Sequence, residues 1–161
     1  MSIEKPGAGA GRREPIKLDA AASHLLEECR MVLPGIQALF GFQLIAVFND
    51  GFSQKLPAAG QALHYAAIVL VAVAIALVMA PAAIHRQTSQ REVSERFVWL
   101  SSRLVLASLF PLALGLCLEV YLIGIVVFDR HAVGALAGGA LFLVFMIFWI
   151  WVPRREQRKQ R

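Results

Sequence analysis

Between Leu104 and Phe128 lie twenty-five residues with a single charged side chain, Glu119. As a helix rising about 1.5 Å per residue this stretch is roughly 37 Å long, more than the hydrocarbon core of about 30 Å that a bilayer presents, so it can cross with some tilt. A soluble helix of this length shows an apolar stripe and a polar face, whereas Ala132 to Val152, further along, has no charged or amide-bearing residue on any side. With 58% of 161 residues hydrophobic and 17% charged, the chain is far from a soluble globular composition, and water is the wrong solvent for it.

Four apolar blocks follow one another and predict an all-α fold: an integral membrane four-helix bundle preceded by an amphipathic interfacial helix. Residues 1–17, rich in Gly, Ala and charge, have no apolar h-region of a secretory signal and read as a flexible tail. From Leu18, the residues Ala22, Leu25, Leu26, Cys29 and Leu33 recur at helical spacing opposite Ser23, His24, Glu27, Glu28 and Arg30, the pattern of a helix lying along the interface. Spans are expected at about 31–48, 62–84, 104–128 and 132–152, with Pro34 marking the turn between interfacial helix and first span. Residues 153–161 form a basic tail. Ala72, Ala76 and Ala80 make a small-residue face on the second span, and Gly134 with Gly138 marks a close contact on the fourth, inside the bundle or between copies.

The formal charge of +5 arises from sixteen Lys and Arg against eleven Asp and Glu. Such a balance fits nucleic acid or an anionic membrane surface. The basic residues flank the apolar blocks and no nucleic-acid motif appears, which leaves the lipid bilayer and its anionic head groups as the expected partners. Fourteen basic residues fall in the two termini and the central loop, and only Lys55 and Arg130 in the other two connections. That division predicts a multi-pass protein of the cell (plasma or inner) membrane with both termini cytoplasmic. Trp99, Trp149 and Trp151 then fall at the inner interface, and Phe48, Phe52 and Tyr65 at the outer one.

The run Glu28-Cys29-Arg30-Met31-Val32-Leu33-Pro34-Gly35-Ile36-Gln37-Ala38-Leu39-Phe40-Gly41-Phe42 resembles the opening of a domain-of-unknown-function family of small bacterial four-helix integral membrane proteins. Ala80-Pro81-Ala82-Ala83-Ile84-His85-Arg86 and Arg103 are similar to later parts of the same family, over roughly residues 20 to 150. The resemblance implies the four-helix fold and brings no activity with it.

Enzyme chemistry has little footing. His24, His64, His85 and His131 are scattered and never stand at the spacing of metal ligands on a helix, no serine sits in a nucleophile elbow, and no acidic pair lies inside a span. Cys29 and Cys117 lie in different segments and read as small apolar residues. No metal or other cofactor is expected.

Two polar sets remain. Glu28, Arg30, His85, Arg86 and Arg103 fall at similar depth on the inner side, where they either form a salt-bridged collar or act as topogenic anchors touching lipid head groups, the second having the larger share. Inside the spans lie Gln37, Gln43 and Glu119. An ionised carboxylate there is costly and no Lys or Arg stands in an apolar core to offset it, so Glu119 is expected to face the bundle interior, take up a proton and donate a hydrogen bond, to Gln43 first and Gln37 second. Two functions fit. One is a structural or accessory membrane protein, oligomeric through its glycines or bound to another membrane protein. The other is a small transporter or proton/cation pathway centred on Glu119. Spans two and four offer almost no polar residue to line a path, which favours the first.

Overall fold

A computed structural model of the chain describes residues 18–49, 51–87 and 94–159. The tail expected over 1–17 lies outside the described residues. Helix α1 runs over Leu18–Val47, a short α2 over Phe52–Lys55, α3 over Ala58–Gln87, α4 over Glu95–Phe128 and α5 over His131–Met146, followed by a π-helical turn at Ile147–Trp151 and α6 at Val152–Lys159. Four segments among the described residues, Ala20–Val47, Ala58–Gln87, Glu95–Phe128 and His131–Arg155, are long and apolar enough to cross a membrane. The helices alternate in direction, so one end of the bundle holds the α1–α3 turn and the α4–α5 turn, and the other holds the α3–α4 loop.

The interfacial helix expected before the first span is not a separate element. Leu18–Val47 is one helix that continues through Pro34, at the cost of the hydrogen bond that residue would have donated to the Arg30 carbonyl. The apolar face read from the sequence is real, but it packs on protein and not along a lipid surface: Leu25, Cys29 and Ile36 share a buried cluster with Val71 and Val78 of α3. The remaining spans are longer than expected, because polar residues at their ends, such as Gln61 and Arg96, continue the helices beyond the apolar blocks. The basic segment 153–161 likewise continues the fourth helix as far as Lys159.

Local sequence explains the ends. Ser94 caps α4 by accepting a hydrogen bond from the Phe97 N–H at 3.2 Å. Asp129 closes α4 in the left-handed region at φ 51°, a conformation Asp tolerates better than most residues, with its N–H on the Ile125 carbonyl at 2.8 Å. Between α1 and α2, Asn49 Oδ1 accepts from the Gly51 N–H at 3.0 Å, and Gln61 Nε2 donates to the Leu56 carbonyl at 2.9 Å to tie α2 to the start of α3.

Helix α4 is the hub, packing on α1, α3 and α5. It turns Ser101, Ser108, Gly115 and Leu122, at seven-residue intervals, inward. A β-carbon on Gly115 would stand 3.0 Å from Val71 and 3.2 Å from the Ala67 carbonyl, so glycine sets the α3–α4 separation there. The α4–α5 crossing is tighter still: a β-carbon on Gly124 would lie 2.6 Å from Gly134 Cα, one on Gly138 would lie 2.8 Å from the Cys117 carbonyl, and one on Gly134 would enter the Tyr121 carbonyl. Gly134 and Gly138 therefore pack inside the bundle. The small-residue contact of α3 is not the Ala72, Ala76, Ala80 row. Ala76 is exposed and the other two are partly so, whereas Ala67, Val71, Ala74 and Val78 face the core.

Candidate functional site

Three polar side chains meet at the turn end of the bundle, each supplied by a different helix. On α1 the buried row is Ala22, Leu25, Cys29, Ile36 and Gln43, spaced by three, four or seven residues, so Gln43 stands on the packed face. Gln37 is one position on from Ile36, turned about 100° away, and is exposed. On α3 the row His64, Ala67, Val71, Ala74, Val78 and Pro81 alternates steps of three and four. Helix α4 contributes Glu119, four residues after Gly115 and three before Leu122, and so aims it between the other two helices.

His64 Nδ1 lies 2.9 Å from one carboxylate oxygen of Glu119 and 3.2 Å from the other. Gln43 Nε2 donates to Glu119 Oε1 at 3.0 Å. His64 Nε2 stands 3.1 Å from the backbone carbonyl of Gln43. The His64 and Glu119 side chains are only 5% and 15% exposed. The ring of Phe52, from α2, covers His64 at a centroid distance of 5.0 Å.

This geometry fixes a proton. A carbonyl oxygen only accepts, so His64 Nε2 carries a hydrogen and donates it to Gln43. Nδ1 then faces the carboxyl group with one proton between them. Either the carboxylic acid donates to Nδ1, or an imidazolium donates to the carboxylate; both arrangements hold the same protons and carry no net charge. The centre thus balances itself in lipid without Lys or Arg. Within this centre one acceptor, Gln43 Oε1, is buried with no partner; among the described residues Ser101 Oγ, elsewhere on α4, is the other such atom.

Glu119 faces the interior and Gln43 bonds to it, as the position of both residues in their spans predicts, while Gln37 takes no part. His64, near the start of the span expected at 62–84, has no role in the sequence reading beyond being one of four scattered histidines. The signal was its spacing from Ala67, Val71 and Ala74, which continues the buried row of α3 a full turn beyond the apolar block. Beside the centre, a cavity of about 260 Å³ opens among Ala46, Asn49, Phe52, Lys55, Leu56 and Val126; Phe52, which lines it, also packs on the His64 ring.

At the opposite end the salt-bridged collar, the lesser of the two readings, does not form among the described residues. No carboxylate among the described residues lies within 4.0 Å of Arg30, Arg86 or Arg103, and Glu28 is exposed. Arg103 instead lies over the Trp99 ring, 4.6 Å from its centroid. The N-terminal end of α4, which disfavours a cation, is the place of Arg96 and Glu95; Arg103 sits two turns further in. His85 leans on Phe97 at 5.6 Å. Arg30, His85 and Arg86 line one side-opening cleft between α1 and α3.

Four helices of this length and composition around a buried polar centre define a small multi-pass α-helical membrane protein. The chain belongs to the family of unknown function DUF6328, whose family model matches residues 13–153. No curated protein and no solved structure matches it.

Proposed function

We propose that the protein is a structural or accessory component of the bacterial inner membrane, in which the Gln43–His64–Glu119 centre locks the register of three helices. The observation that carries this reading is the mutual satisfaction of the three side chains: each buried polar group but one finds its partner inside the chain, as a structural network requires. Polar contacts of this kind contribute about 0.6 kcal/mol each on average and up to about 1.7 kcal/mol between helices in lipid. Orphaning a member costs more, about 1–3 kcal/mol. Gly134 and Gly138 are used within the chain, so association with a second copy or with another membrane protein falls to the lipid-facing surface around Leu136, Gly139 and Leu143.

A proton pathway is the second reading. Its support is the single exchangeable proton between His64 and Glu119, the unpartnered Gln43 Oε1, and the nearby cavity that Phe52 lines. Glu119→Gln separates the two. The amide donates to His64 Nδ1 and accepts from Gln43, replacing every bond of the protonated carboxyl. Unchanged expression, helicity and unfolding, with vesicle proton permeability equal to that of the native protein, supports the structural role. Loss of a proton flux that the native protein shows would replace it with the pathway.

The fourteen-to-two division of basic residues supports cytoplasmic termini. Impermeant thiol labelling of intact cells, on a background without Cys29 and Cys117, is expected to reach a cysteine placed at Lys55 and to miss one placed at Glu92. The reverse pattern would invert the orientation.

A further inference from the structure

The cleft between α1 and α3 at the loop end has the chemistry of a site for one molecule. Its volume is about 200 Å³. The floor is apolar, built from Leu26, Leu33, Val78 and Met79, with Val78 almost wholly buried and Met79 about half exposed toward lipid. Its rim carries Arg30 from one helix and His85 and Arg86 from the other. Among the described residues neither guanidinium has an ion pair, a hydrogen bond or an aromatic ring against it, in contrast to Arg103 over Trp99 and Arg155 over Trp151. Two guanidinium groups without a partner among the described residues thus line, beside His85, a slot whose remaining walls are mostly apolar.

Position narrows the occupant. Arg86 is the last residue but one of its membrane-spanning helix, so the rim lies at the depth of lipid phosphates while the floor lies at the depth of acyl chains. A free inorganic anion leaves the apolar floor unused, and a neutral lipid leaves the cations unused. The slot is too small to swallow two acyl chains and fits a headgroup with the first carbons of one chain, the rest lying on the exposed surface of Met31, Val32 and Met79.

We propose that this cleft is a specific site for an anionic phospholipid, with the phosphate held between Arg30 and Arg86 and an acyl chain seated on Val78 and Met79. Guanidinium groups on two facing helices can each give paired N–H donors to one phosphate, which diffuse attraction to a charged surface does not provide. The occupied site also clamps α1 to α3 at the end of the bundle opposite the Gln43–His64–Glu119 centre.

The test is native mass spectrometry of full-length protein released from nanodiscs of equal phosphatidylglycerol and phosphatidylcholine. The native protein is expected to retain one phosphatidylglycerol in preference to phosphatidylcholine. Arg30→Gln with Arg86→Gln is expected to reduce that preference roughly tenfold, and Ala82→Leu, which narrows the slot without touching a charge, is expected to weaken retention as well. Arg103→Gln, at the same end but outside the cleft, is expected to leave retention unchanged. Equal loss in Arg103→Gln, or no preference in the native protein, would reduce the effect to general surface charge and overturn the proposal. Displacement of the retained lipid by millimolar inorganic phosphate would overturn it in favour of a free-anion site. Far-UV circular dichroism of each variant verifies that the helices are intact.

Discussion

The two ends of the bundle treat their polar side chains in opposite ways. At the turn end, Gln43, His64 and Glu119 are drawn together from three helices and bond to one another within 3.2 Å. At the loop end, Glu28 makes no ion pair within 4.0 Å with Arg30, Arg86 or Arg103. The difference is one of solvent. Surrounded by apolar side chains, an unpaired polar group has no water to fall back on and must find a partner on another helix. At the interface, water and head groups satisfy a guanidinium, so an ion pair there gains little and side-chain entropy opposes it. A carboxylate inside a span therefore announces a partner, and a charge at the end of a span announces only its depth.

Substitutions break this comparison in a graded order. The largest loss belongs to the buried half, where backbones touch: Gly134→Ala drives a methyl group into the Tyr121 carbonyl and is expected to cost about 3 kcal/mol, read as a shift in denaturant midpoint during detergent-to-SDS unfolding. Glu119→Leu strands His64 Nδ1 and Gln43 Nε2 and is expected to cost about 2 kcal/mol in the same assay. Gln43→Leu removes one interhelical bond but leaves its backbone carbonyl available to His64, for a loss of about 1 kcal/mol. Glu28→Gln, at the loop end, is expected to stay within about 0.5 kcal/mol of the native protein. A loop-end substitution that costs as much as Glu119→Leu would break the contrast.

The number of spans was legible because length and hydropathy suffice for it. What the apolar composition hid was phase. In a soluble helix the polar face shows which side is buried, but Ala66 to Ile84 is apolar all round, so nothing in hydropathy distinguishes the packed Ala67, Val71, Ala74 row from the Ala72, Ala76, Ala80 row beside it. The polar residues were the only markers of phase, and they mark it through spacing: Gln43 stands seven residues from Ile36, His64 three from Ala67, Glu119 four from Gly115. Gln43 and Glu119 were found because they lie inside apolar blocks. His64 lies inside the expected span at 62–84 but ahead of the uninterrupted apolar run from Ala66, so hydropathy gives it no phase; α3 begins at Ala58 and carries the buried row back through it. Pro34 misled for a related reason: proline discourages helix in the residue before it, yet α1 continues because packing of Leu25, Cys29 and Ile36 on α3 outweighs one missing hydrogen bond.

The account rests on His64 and Glu119 sharing one proton across the α3–α4 contact, and a double-mutant cycle reads that contact directly. His64→Leu and Glu119→Leu are each expected to destabilise the bundle by leaving the other residue without its partner, while the double variant removes both polar groups together. The cycle is expected to give a coupling energy of at least about 1 kcal/mol, with the double variant more stable than the sum of the single losses implies. Additive losses, equal to the sum within about 0.5 kcal/mol, would mean that the two residues do not interact and would contradict the shared-proton centre.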